Sequence, residues 1–336
     1  MLNPFDTDAY NLVSLTQSIN ILPNTYGRIR DLGLMPEKGI TTRTVIVEEQ
    51  NGVLNLLPTL PVGAPGTQNK MGKRNVRSLL VPHIPMDDVI LPSEYEGVRA
   101  FGTENQNMTV AQVMNNHLQT AKNKFAITLE HLRMGALKGV ILDADGSTLY
   151  NLYTEFGISP KSIDFVLGTT TTDIRNKCME LVRYIEDNLQ GEVMGGVRVL
   201  VSAEFFDKLV SHTSVKTVFL NTSNAKAMLG EDIRKGFSFG GVMFEEYRGT
   251  ATDAAGNVRR FIASGEGHAF PEGTMETFQT IYSPADFLET ANTIGLPLYA
   301  KQEARKFNRG IDLHIQSNPL PICYRPSLLV KIFSSN

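Results

Sequence analysis

The chain has 336 residues, and 32 lysines and arginines against 35 aspartates and glutamates leave a net charge of −3, which excludes binding to nucleic acid or membranes through bulk charge. At about 150 residues per domain this length gives two domains with a sizeable core, and 28 glycines with 16 prolines exclude a collagen-like or wholly disordered chain. Two distant cysteines, Cys178 and Cys323, no run of about 18 apolar residues and no basic-then-apolar start set the expectation of an intracellularly made, soluble protein.

Residues 1–39 read as an arm. Short apolar pieces alternate with breakers at Pro23, Gly27, Gly33, Pro36 and Gly39, so the segment is stable only when it lies on something else. Residues 42–98 are the most unusual stretch. Residues 44–49 have strand composition, Asn51-Gly52 is a strong hairpin signal, and residues 53–57 are expected to return as the second strand. Three prolines and three glycines between 58 and 72 then forbid helix and central strand, and residues 76–81 read as a further strand. Long loops of this kind are functional or disordered, and the apolar content here favours a projecting β-arm that packs on a neighbour.

A long helix follows. Val110, Met114, Leu118, Ala121, Phe125, Leu129, Leu132 and Ala136 span 26 residues in seven turns, or 3.7 residues per turn. Thr109 and Gln112 form a capping-box pattern and Lys138-Gly139 a C-terminal stop. The period predicts one straight helix lying across a body, a spine, and not a zipper. Asp145-Gly146 then predicts a second hairpin over 139–153. From 159 to 295 the pattern is α/β-like: a strand at 163–167, a helix with Ile174, Cys178, Leu181, Ile185 and Leu189 on one face, a strand at 197–201, a short helix at 205–210, and a hairpin-like pair at 242–247 and 258–263. Late strands are expected at 298–300, 311–315 and 328–332.

Gly236-Phe237-Ser238-Phe239-Gly240 matches the nucleophile elbow of serine hydrolases, with Asp253 or Asp286 and His268 or His314 as candidate partners. The charged residues before it and the strand-like residues after it favour an edge turn instead. Asp143-Ala144-Asp145-Gly146 opens like a calcium loop but lacks the later ligands. Gly66 to Gly72 has the wrong spacing for a phosphate loop, with Arg74 where Ser or Thr should stand. Gly265-Glu266-Gly267-His268 precedes Pro271 and no helix, which rules out a dinucleotide fingerprint. No local metal motif occurs, both cysteines read as buried small hydrophobes, and no catalytic residue, cofactor or metal is expected.

Arm, long β-loop, spine helix, hairpin, α/β body and returning strands form an order that resembles the lambda-type tailed-phage major capsid proteins, the phage capsid protein E family, with its α+β Hong Kong 97-like fold. The clearest likenesses are residues 140–147 with 151–157, 282–286 through 292–301, 316–321, and Arg325-Pro326. The resemblance covers essentially the whole chain. It implies an N-terminal arm at 1–41, an extended β-hairpin loop at 42–98, a peripheral domain with the spine helix at 99–158 plus 296–336, and an axial domain at 159–295. It also implies homo-pentamers and homo-hexamers of an icosahedral head enclosing double-stranded DNA, matured from a procapsid assembled in the host cytoplasm. A separate scaffolding protein and a portal are implied as partners, a decoration protein is left open, and no membrane is involved. No motif carries over the loop cross-link known in some relatives.

On this reading Val45, Val47, Leu54, Leu57 and Leu79 supply apolar contact between subunits, while the basic run Lys70, Lys73, Arg74 and Arg77 sets register. A bacterial nanocompartment shell of the same fold and a serine hydrolase built on Ser238 are the alternatives.

Overall fold

The computed structural model describes residues 11–22, 27–50, 74–94, 109–221, 232–253 and 255–336. The predicted spine is helix Val110–Lys138, and at 1.5 Å per residue its 29 residues run roughly 44 Å. Its start is the expected capping box: the Gln112 backbone N–H donates to Thr109 Oγ1 at 3.2 Å, and Gln112 Oε1 accepts from the Thr109 backbone N–H at 2.9 Å. Its end is Gly139, left-handed at φ 76°, where a Cβ would also run into the Tyr153 ring. Glycine is required there on both counts.

The spine divides its apolar residues between two clusters. The first half, from Val113 to Phe125, packs with Leu15 and Ile19 of the arm helix Leu12–Ile21 and with a three-stranded sheet of Ile84–Ile90, Ile311–Ser317 and Tyr299–Ala304. The second half packs on a sheet of Glu37–Gly39, Phe278–Tyr282 and Pro319–Cys323 and on the short hairpin Val140–Leu142 with Thr148–Asn151. That second hairpin is where the sequence placed it, except that Leu152–Phe156 is a helix, capped by Asn151, and not more strand.

The α/β body is a six-stranded mixed sheet ordered Lys161–Asp164, Val330–Phe333, Glu266–Glu272, Gly196–Val201, Val242–Glu246, Phe237–Phe239. Helix Ile174–Asn188 lays Ile174, Cys178, Leu181 and Ile185 on it, all fully buried, at the spacing the sequence shows. Phe165 sits edge-on to both Phe205 and Phe244, at 5.7 and 6.3 Å between ring centres.

Among the described residues Thr44–Gln50 pairs with Arg74–Leu80; the expected return strand 53–57 and Asn51-Gly52 lie outside the described residues. The pairing departs from expectation in two places. Val242–Glu246 runs parallel to Gly196–Val201, and Val258–Arg260 pairs with Thr250–Thr252 instead. The late strand Val330–Phe333 lies between two body strands, while Phe278–Tyr282 belongs to the spine layer, so the implied boundary near 295 does not follow the sheets.

Candidate functional site

The hairpin base formed by Thr44–Gln50 and Arg74–Leu80 presents two different faces, because successive strand residues point to opposite sides. Val45, Val47 and Leu79 form the inner face, at most 6% exposed, and join the core that includes Leu152 and Phe156. The expectation that these three meet a neighbour is therefore corrected: the body that covers them is the chain itself. The outer face carries Ile46, Val76 and Leu80, which are 65%, 62% and 60% exposed. Ile46 stands opposite Ser78, so Val76 and Leu80 are its diagonal neighbours and the three form one apolar patch.

Arg77 is held within the chain. Its Nε donates to the Glu155 carbonyl at 2.6 Å, and its guanidinium lies 4.8 Å from the centre of the Phe156 ring. It anchors the hairpin to helix Leu152–Phe156, a role its place in a basic run did not reveal. The Tyr150 hydroxyl donates to the Leu80 carbonyl at 2.7 Å and fixes the other edge. Arg74 contributes to the strand, and Leu54, Leu57, Lys70 and Lys73 lie outside the described residues.

The arm is fixed by long-range polar contacts that no local pattern announces. Lys122 of the spine donates from Nζ to the carbonyls of Ile19 and Asn20, both at 2.8 Å, and of Leu22, which caps the C-terminal end of the arm helix. Burial, with the charge of Arg30, pulls the Lys122 ammonium below its ordinary pKa. Farther on, Arg28 grips Glu245 of the body sheet, with Nε to Oε1 at 2.5 Å, and Arg198 holds the other oxygen at 2.6 Å while also pairing with Glu272. Glu130, buried on the spine, accepts from the Ile29 backbone N–H at 2.8 Å and from the Tyr247 hydroxyl at 3.0 Å. Burial raises its pKa against those bonds. Arg133, 2% exposed, donates to Glu37 Oε1 at 2.8 Å. Arm, spine and body thus meet around carboxylates and guanidiniums that would be costly to leave unpaired.

The motifs with enzymatic precedent are not assembled. Ser238 lies on edge strand Phe237–Phe239, followed by a tight turn through Gly240 and Gly241 at φ 61° and 85°, the edge turn the sequence favoured. His268 is three strands away, roughly 14 Å at the spacing of a sheet, and burial holds its pKa well below the usual value. Asp253 is occupied by Asn257 and Arg259, and His314 by Asp87. The carboxylates of Asp143 and Asp145 accept from backbone N–H groups of their own turn, each at 2.7 Å. Burial pushes both thiols, Cys178 and Cys323, up to about 12. Among the described residues no group of three His, Cys, Asp or Glu could hold a metal, and no helix is long and apolar enough to cross a membrane.

Residues 11–334 match the family model of phage major capsid protein E. The major capsid protein of Salmonella phage Felix O1 (isolate Felix O1-VT1) is 32% identical over 362 residues, covering 99% of this chain and 98% of the relative. That of Pseudomonas phage KPP10 is 30% identical over 338 residues, covering 96% of each. Among solved structures, the putative capsid protein of a prophage from E. coli CFT073 has a TM-score of 0.59 at 14% identity, covering 97% of this chain and 99% of that one. The capsid of cyanophage P-SCSP1u has a TM-score of 0.55 at 12% identity, covering 94% and 90%. With its two-faced hairpin, its spine and its α/β body, the chain belongs to the phage major capsid protein E family, carries the Hong Kong 97-like α+β fold, and is a structural protein of the virion shell.

Proposed function

We propose that this protein assembles in the host cytoplasm, around a separate scaffolding protein and with a portal, into pentamers and hexamers of a closed icosahedral head that encloses double-stranded DNA. The division of labour follows the elements: the arm at 1–41 ties the spine to the body, the loop at 42–98 reaches to the neighbour, and the spine layer and the α/β body form the tile. The observation that carries this reading is the outer face of the hairpin base. A monomer gains nothing by exposing Ile46, Val76 and Leu80 side by side on one face of a ribbon, and a shell covers them with the adjacent subunit. Repeated heterologous contacts of this kind close into rings of five and six when the rotation permits.

The contact residues proposed from the sequence are revised accordingly. Ile46, Val76 and Leu80 replace Val45, Val47 and Leu79 as the apolar contact, Arg77 fixes the hairpin to its own chain, and Lys70, Lys73 and Arg74 keep the role of setting register against an acidic neighbour. No catalytic step is assigned. A fluorophosphonate probe is expected to leave Ser238 unlabelled, and labelling lost in Ser238→Ala would reopen the hydrolase reading.

The test is expression with and without a candidate scaffold, followed by light scattering and negative-stain electron microscopy. Closed shells of uniform diameter, or rings of five and six, are expected. A compact monomer under every condition would overturn the proposal. Particles that enclose protein cargo and no DNA would move the reading to a nanocompartment.

A further inference from the structure

Strands Tyr299–Ala304 and Ile311–Ser317 are joined by a turn whose geometry is unusual for its sequence. Phe307 has φ 63° and ψ 21°, in the left-handed region that a bulky residue adopts only when its surroundings impose it, and its side chain is 88% exposed. The turn is built to hold it there. Arg305 Nε pairs with Asp312 at 2.6 Å, the Arg305 backbone N–H donates to the Gly310 carbonyl at 3.0 Å, and the Asn308 N–H donates to the Arg305 carbonyl at 2.9 Å. Arg309 lies over the Phe307 ring at 5.8 Å, and Lys306 makes no ion pair among the described residues. The result is a turn, closed by its own hydrogen bonds, that presents one exposed aromatic ring with Arg309 over it and exposed Lys306 next to it in sequence.

A surface of complementary character lies elsewhere on the chain. Val193 and Met275 are 79% and 88% exposed. The loop bearing Met275 is held firmly, since the Glu192 carboxylate accepts from the N–H groups of Met275 and Glu276 at 2.8 and 3.3 Å and pairs with Arg325 at 3.0 Å. Exposed Glu276 adjoins Met275. Glu186 and Asp187 lie in the last turn of helix Ile174–Asn188, where the negative end of the helix disfavours acids and where no basic residue offsets them. The turn and this surface are linked by two consecutive strands, Ile311–Ser317 and Pro319–Cys323, and Cys323 pairs with Phe278 just beyond the Met275 loop. The two strands belong to different sheets and are separated by Asn318 alone, and thirteen extended residues span up to ~40 Å, so a knob and its complement sit at opposite ends of this stretch of chain, an arrangement that suits a head-to-tail contact.

We propose that the turn at 305–310 is a docking finger that places Phe307 against Val193 and Met275 of a second copy of this chain, with Lys306 and Arg309 facing Glu186, Asp187 and Glu276. The proposal rests on the shell reading above and adds a second contact, independent of the hairpin loop. Packaged DNA is a less favoured occupant, because Arg305 is already tied to Asp312 and two remaining cations make a small footprint on a phosphate backbone.

The experiment uses the full chain in particle-forming conditions. Lys306→Glu with Arg309→Glu is expected to lower the yield of sedimenting particles at least tenfold, and adding Glu186→Lys, Asp187→Lys and Glu276→Lys to restore it to within twofold. Phe307→Asn, which suits the left-handed backbone better, is expected to raise the melting temperature of the unassembled subunit while lowering particle yield. Asn308→Cys combined with Met275→Cys should give a ladder of intermolecular disulfides in particles under mild oxidation, and neither single variant should. Wild-type yield from both the charge-reversed and the Phe307→Asn proteins would overturn the finger and leave the shell reading intact, as would a double-cysteine protein that forms normal particles without a ladder. Normal particles with reduced nucleic-acid content would assign the finger to DNA and overturn the proposal. A wild-type chain that never assembles would overturn both readings together.

Discussion

Arg28 and Glu245 are 217 positions apart in the chain and meet side by side, Nε to Oε1 at 2.5 Å and Nη2 to Oε2 at 3.1 Å. The Glu245 side chain is 5% exposed and that of Arg28 is 42% exposed, so the two ends of the pair carry unequal energetic weight. Removing the carboxylate strands Arg28 and half of Arg198, and Glu245→Ala is expected to cost about 3 kcal/mol of subunit stability. Arg28→Ala leaves Glu245 with Arg198 and should cost only about 1 kcal/mol. Denaturant unfolding of both single variants and the double variant measures the coupling; strict additivity would mean the arm is held by other contacts.

The hairpin base separates stability from assembly. Leu79→Ala opens a cavity in the subunit core and is expected to cost 2–4 kcal/mol, roughly the usual range for such truncations. Ile46→Asp, on the outer face, is expected to leave the melting temperature within a degree or two, because the change is to an exposed position, and to abolish closed shells. Calorimetry of the unassembled subunit beside particle yield distinguishes the two. An Ile46→Asp protein that assembles normally would show the outer face to be unused.

His117 ties the spine to strand Ile84–Ile90 and the turn after it, with Nδ1 at 2.7 Å from Asp88 and Nε2 at 2.7 Å from Glu94. Burial alone would lower its pKa, but the hydrogen bonds and charges of the two carboxylates outweigh burial and raise it above the ordinary 6.5. A raised value in the folded state means that protonation is linked to folding in the stabilising sense. The contribution is complete below pH 6.5 and is lost as pH rises through the raised value. Melting temperature against pH should therefore fall more steeply above neutrality in the wild type than in His117→Gln. Parallel curves would overturn the linkage.

Gly139 is a sharper test of local geometry. Its φ of 76° disfavours any side chain, and a Cβ would collide with the Tyr153 ring. Gly139→Ala is expected to destabilise by about 2 kcal/mol or more. Gly157, left-handed at φ 66° with open space around it, should tolerate alanine at about half that cost, since only backbone strain remains. Equal effects in thermal unfolding would mean that the Tyr153 contact contributes nothing.

The spine was legible because everything that defines it is local: a 3.7-residue apolar period, a capping box four residues long and a glycine stop. Helix Ile174–Asn188 was legible for the same reason. The apolar alternation of Val45 and Val47 correctly announced a covered face, but periodicity says only that something covers it, and the covering body was the chain's own Phe156 and Leu152. The contacts of Arg28 with Glu245 and of His117 with Asp88 and Glu94 left no trace in the sequence, since nothing in the spacing of residues that far apart constrains their meeting. Phe307 was invisible for a different reason: its left-handed backbone belongs to a turn closed by the bonds of Arg305 with Gly310 and Asn308, and no residue preference of phenylalanine announces that conformation.

Strand Val330–Phe333 lies between Lys161–Asp164 and Glu266–Glu272 in the body sheet, and it is the sole sheet partner of Lys161–Asp164 among the described residues. A ribosome has therefore made every other described element before the piece that joins the two parts of this sheet. A nascent or prematurely terminated chain lacks a closed body and exposes two unpaired strand edges, a form that proteases and chaperones act on readily. A chain cut before Val330 therefore loses more than that one strand: Lys161–Asp164 is left with no sheet partner among the described residues, and the body sheet is broken in two.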